Sequence, residues 1–141
     1  FIGDRPAQAS TRVAFQSSLR GKATITGVGR FAFTGGGSSS PFKAVRNVGK
    51  IQMTGVGVSC PGGIVNTNVE RLTFGGGDTL TITSLDVGCP RGPLRFRGRG
   101  TWTVTGGTGR FAHATGSGKA EGRADFVAQT FEMHLWGSIT T

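Results

Sequence analysis

Long apolar runs are missing from this sequence: no stretch approaches the roughly 18–20 residues that a membrane-spanning helix needs. Histidine occurs only as His113 and His134, and the acids number seven. Cysteine occurs only as Cys60 and Cys89, too far apart for a CxxC redox pair and too few for a cysteine zinc site. With 5 prolines, and glycines that keep no period of three, the chain is not collagen. Hardly a stretch of ten residues lacks Gly or several Thr and Val, which excludes a long-helix protein. Charged residues make up 16% of the chain, where about 25% is usual.

What is present is glycine, 26 in 141 residues, and a hydrophobic content of 35% that includes 10 Phe. That apolar content argues against disorder, and the length suits one domain with a core of its own. The balance of 16 Lys and Arg against 7 acids leaves a net charge of +9, which attracts polyanions such as acidic polysaccharide or nucleic acid. A Cys60–Cys89 disulfide, contributing about 3 kcal/mol by loop closure, would place the chain in an oxidising compartment; two buried free thiols are the alternative. The chain opens on Phe1 rather than Met, and shows no basic segment followed by an apolar one. We therefore expect an exported, extracellular or cell-surface product whose leader has been removed.

Alternation of apolar and polar residues runs through most of the chain, the mark of half-buried strands. Val13, Phe15, Leu19, Ala23 and Ile25 share one face of a first strand, with Gln16, Ser18, Arg20 and Lys22 on the other. Strand candidates follow at residues 30–34 (stopped by Gly35-Gly36-Gly37), 42–48, 50–58, 64–74, 78–87, 94–105, 110–115, 119–127 and 130–140. This predicts an all-β fold over residues 11–141: a small antiparallel barrel of about eight or more strands with Gly-rich turns, preceded by an arm over residues 1–10. Residues 24–32 echo in 103–112, each copy a strand, a glycine turn and Gly-Arg-Phe-Ala, which predicts a hairpin used twice.

The second copy extends through Phe111-Ala112-His113-Ala114-Thr115-Gly116-Ser117-Gly118. From Thr101 onward, ending on Gly137-Ser138-Ile139, the chain resembles exported bacterial proteins similar to the allene oxide cyclase and dirigent superfamily. That resemblance is specific over residues 101–141 and fainter over 22–34, and it departs at His113, where Gly is commoner. It implies a small eight-stranded antiparallel barrel more firmly than any activity.

Arg95, Arg97 and Arg99 fall on one face of a strand at period two, with Phe96 and Trp102 on the other. Three guanidiniums about 6.5–7 Å apart suit a polyanion. The Gly-rich runs lack the Lys-Ser/Thr ending of a phosphate loop and read as turns. No Ser/His/acid order or metal-ligand cluster emerges, so no catalytic residue, cofactor or metal is assigned. Parity turns Glu132 and His134 outward, opposite Phe131, Met133, Leu135 and Ile139. Glu70 is the best candidate for an inward acid, with Arg71 or a surface cation as its expected partner. Phe1 and Ile2, each worth about 1.5–3 kcal/mol in an apolar pocket, mark the arm as a subunit contact.

Three functions follow. The leading one is a non-catalytic extracellular module that assembles with itself, as an oligomer or filament. The second is a secreted binder of acidic glycans or other polyanions. The third is a lumen-based isomerase or cyclase, as the resemblance implies.

Overall fold

A computed structural model of the chain describes residues 10–57 and 59–141; Phe1 and Ile2 lie outside the described residues. Eight strands follow one another: β1 (Arg12–Gly27), β2 (Arg30–Ser40), β3 (Lys43–Gly57), β4 (Gly63–Phe74), β5 (Thr79–Gly92), β6 (Arg95–Gly107), β7 (Thr115–Asp125) and β8 (Thr130–Thr140). Each pairs antiparallel with the next, and β1 pairs with β8, Val13 opposite Ile139 and Leu19 opposite Met133, to close the barrel. The expected all-β antiparallel barrel is thus what forms.

Three local expectations are corrected. The Gly35-Gly36-Gly37 run does not stop β2, because its main chain pairs with both neighbours: Gly35 with Gly21 of β1 and with Asn47 of β3. Without side chains these residues let β1 and β2 approach closely, and a Cβ at Gly35 would strike the Arg20 carbonyl. The candidates at 42–48 and 50–58 are one strand, β3, running through Gly49. The echoed motifs also diverge. Residues 24–32 form the β1–β2 hairpin, whereas Gly109–Phe111 is a 3-10 turn that drops Phe111 into the core, and β7 starts at Thr115.

The barrel is packed unequally along its axis. At one end Phe15, Phe42, Phe74, Phe111 and Trp102 interlock, with ring centroids 5.0–6.0 Å apart and mostly tilted or edge-on, the arrangement ring quadrupoles favour. The Arg110 guanidinium lies over three of these rings, at 5.0 Å from Phe111 and 5.3 Å from Phe42, and pairs with Asp78 at 3.4 Å. Trp102 donates its indole N–H to the Lys119 carbonyl at 3.0 Å, and its ring fills the space beside Gly118. This end is closed.

The other end carries the β1–β2, β3–β4, β5–β6 and β7–β8 connections. A Cys60–Cys89 disulfide ties the β3–β4 loop to β5 there. It was expected, and it constrains a loop across 29 positions of sequence. Replacing both cysteines with Ser should cost about 3 kcal/mol in chemical denaturation, and thiol titration of the denatured, unreduced chain should find no free thiol.

Candidate functional site

Along β4, Asn66, Asn68 and Glu70 occupy the same parity as Leu72 and Phe74, so a strand whose lower half is apolar core continues upward as a polar stripe inside the lumen. On β5, Ser84 and Asp86 follow Leu80 and Ile82 in the same way. Registers place Asn68 opposite Ser84, Asn66 opposite Asp86, and Gly49 of β3 opposite Glu70. Two positions before Gly49, Asn47 joins the stripe from β3. Asn47 is 1% exposed, Glu70 2%, Asn68 3% and Asn66 7%.

Glu70 is therefore inward, as expected, but its partner is not Arg71, which the alternation sends to the outer face. Asn47 Nδ2 donates to Glu70 Oε1 at 2.8 Å, and the carboxyl occupies space that a side chain at Gly49 would need. A neutral amide can approach this carboxyl in the lumen; a surface cation cannot. Asn66 Nδ2 donates to Asp86 Oδ1 at 3.1 Å. Burial raises the Glu70 pKa to about 7, against the hydrogen bond from Asn47 and helped by the charge of Asp86. Burial likewise raises Asp86 to about 6, against its bonds from Asn66 and Ser84. Two carboxyls in one low-dielectric space oppose each other's ionisation.

Facing this stripe, β6 and β7 present mostly glycine and alanine: Gly98, Gly100, Ala120, Gly122 and Ala124. Small residues here leave a cavity of about 90 Å³ lined by both walls and by Met133 and Leu135. Phe31, Phe33, Phe96 and Phe126 surround its open end; Phe126 lies 4.9 Å from Phe31 and 6.2 Å from Phe96 between ring centroids. Gly98 is a filler position left empty, since a Cβ there would meet only the Val87 carbonyl, at an ordinary 3.6 Å.

The arginine stripe is where sequence placed it, with Arg95, Arg97 and Arg99 all exposed. Its register neighbours on β7 are Asp125, Arg123 and Glu121, so acids interrupt the cationic surface. Arg95 pairs with Asp125 at 3.1 Å. The Asp125 carboxyl accepts the Ala128 and Val127 amides at 2.9 Å each, and these bonds, with Arg95, hold it below the usual carboxylate range. Arg123 pairs with Glu132 at 2.8 Å. Glu132 and His134 face outward with Trp136, while Phe131, Met133, Leu135 and Ile139 line the interior, as expected. Among the described residues, no three His, Cys, Asp or Glu side chains converge to hold a metal.

Sequence reasoning missed Asp86, Asn47, Asn66, Asn68 and Ser84. The signal was available: counting by twos from Leu72 and Leu80 reaches all but Asn47, and from Val45 reaches that one. Comparison with known protein families, curated proteins and solved structures gives no match. The closed eight-strand barrel is compatible with the architecture that the resemblance read from residues 101–141 implies.

The raised carboxyls make stability depend on pH. A folded-state pKa above the unfolded one favours the fold while the group is protonated in both states, and that advantage is lost as pH rises through the folded value. For Glu70 the window runs from about 4.5 to about 7, and its loss amounts to about 3 kcal/mol. Denaturant titrations at pH 5 and pH 8 should show the chain weaker at pH 8. Glu70→Gln should remove a large part of that difference; an unchanged difference would contradict the assignment.

Proposed function

We propose that the lumen is the functional site: a small-molecule pocket in which Glu70 and Asp86 act as an acid–base pair, the isomerase or cyclase kind of chemistry that the resemblance implies. The observation that supports it is a pair of inward carboxyls with pKa values near 7 and near 6 in a mostly apolar cavity. A general base or acid works best when its pKa lies near the working pH, and burial is how a carboxyl gets there. Glu70 Oε2, the oxygen that no side chain engages, is the atom that takes the proton. Asp86, ionising first, supplies the second charge state. Export to an oxidising compartment fits the disulfide.

The self-assembly reading rests on Phe1 and Ile2, outside the described residues. The polyanion reading rests on a stripe whose cations alternate with acids across β6 and β7. Arg95 and Arg97 do border a second, more polar hollow on the outer face, but its acids Asp125 and Glu132 are already paired with Arg95 and Arg123.

A nitro-substituted benzisoxazole is a suitable probe, because a carboxylate in an apolar pocket opens it in one step. The ring C–H proton passes to Glu70 Oε2, the N–O bond breaks, and a nitrile and a coloured phenolate form. Turnover should exceed that of free acetate by about 10²-fold, rising with pH through about 7. Glu70→Gln should bring it to background. Equal rates in both proteins would overturn the proposal.

A further inference from the structure

Four buried oxygens in the lumen have no hydrogen-bond donor among the described residues: Asn47 Oδ1, Asn66 Oδ1, Asn68 Oδ1 and Glu70 Oε2. Such groups are costly to bury unpaired. Reversing the amides does not cure the deficit. The N–H groups of Asn47 and Asn66 already point at the carboxyls of Glu70 and Asp86; turned over, each would set a carbonyl oxygen against a carboxyl oxygen. The stripe is thus an acceptor surface, awaiting donors from whatever occupies the cavity.

Charge sharpens this. Among the described residues, following the alternation along all eight strands, the ionisable side chains at inward positions are the acids Glu70 and Asp86 within the lumen and Lys43, which is exposed at the far, closed end. Arg99 and Arg123 border the cavity through their strands, but both are exposed on the outer face and Arg123 pairs there with Glu132, so neither is placed as a counter-charge inside. An anionic ligand would face two carboxyls and three bare amide oxygens, and is excluded. Above the floor, the rim of Phe31, Phe33, Phe96 and Phe126 offers ring faces and edges to carbon. Phenyl faces also attract an ammonium on its way in. A hydrated metal ion has no use for such a rim, whereas an organic cation uses both parts.

Resting on the lumen as a ligand site, we propose that the occupant is a small organic cation: a primary ammonium seated on the oxygens of Glu70, Asn47, Asn66, Asn68 and Asp86, with an apolar body held between Phe31, Phe33, Phe96 and Phe126. An ammonium has three N–H donors and no acceptor, the complement of this floor. Its charge balances the carboxyls that burial otherwise disfavours.

Benzylammonium, benzyl alcohol and benzoate differ chiefly in the head group and make the decisive set. Calorimetric or NMR titration of the full chain at pH 8 should show benzylammonium binding at least about tenfold tighter than benzyl alcohol, with benzoate not binding. Between pH 8 and pH 5 the ammonium stays charged while Glu70 and Asp86 take up protons, so its affinity should fall about tenfold or more. Glu70→Gln keeps the shape and a bond to Asn47 and should cause a similar loss at pH 8. Asn68→Ala, which removes an acceptor without touching either acid, gives a second and smaller loss. Gly98→Val grows into open space and should weaken every lumenal ligand. Benzyl alcohol binding as tightly as benzylammonium, or an affinity indifferent to Glu70→Gln, overturns the cation. If benzylammonium fails while Glu70-dependent opening of the benzisoxazole persists, the cation assignment falls and the acid–base lumen stands. If both fail, both fall.

Discussion

Closure of β1 onto β8 is the constraint on which everything else depends. An eight-stranded barrel has an interior only just wide enough for its own side chains, so each inward position either fills the lumen or leaves it open. At the closed end large rings fill it: Phe15, Phe74, Phe111 and Trp102 are all buried. Higher up, β6 and β7 contribute glycine and alanine where other strands contribute bulk, and a cavity appears against the polar stripe of β4 and β5. The pocket is thus a consequence of side-chain size at a handful of inward positions, not of any departure from the sheet.

The outer face is equally informative. Arg and Lys occur on the outward positions of β1, β3, β4, β6 and β7. A lipid-facing barrel shows the reverse, an apolar belt outside and polar residues within. Here the largest apolar cluster is inside, with Val48, Val69, Leu85 and Trp136 scattered among the charges outside, and the polar residues that join the interior are concentrated on one wall. Neutral amides surround both acids, which lessens the cost of burying them without cancelling it. Their pKa values stay high because those amides cannot supply the full charge of a cation.

Much of the architecture was legible in the sequence because alternation with period two reports directly on which face a residue occupies. That rule placed Phe131, Met133, Leu135 and Ile139 inside, the three arginines outside, and Glu70 within. It failed where glycine was taken as punctuation. In β2 and β3, glycine is the residue that lets neighbouring strands come together, so Gly35–Gly37 and Gly49 lie inside strands. It failed again at Phe111, where a repeated tetrapeptide takes two conformations because the Arg110–Asp78 pair and the aromatic cluster hold the second copy in a turn. The site itself escaped because its residues are dispersed over three strands and half of them are amides, which carry no motif. Only pairing brings Asn47, Glu70, Asn66 and Asp86 to one wall.

Arg110 capping three aromatic rings has a kinetic meaning. With that end sealed, the described residues leave the lumen one door, framed by Phe31, Phe96 and Phe126. Whatever enters must leave by retracing its path, past the same rings. Changes at the rim that only narrow or widen the passage therefore slow or speed arrival and departure together and leave the equilibrium untouched. The collar of phenylalanines thus sets how fast the lumen exchanges its contents, and it shares with the acceptor floor the holding of whatever lies inside.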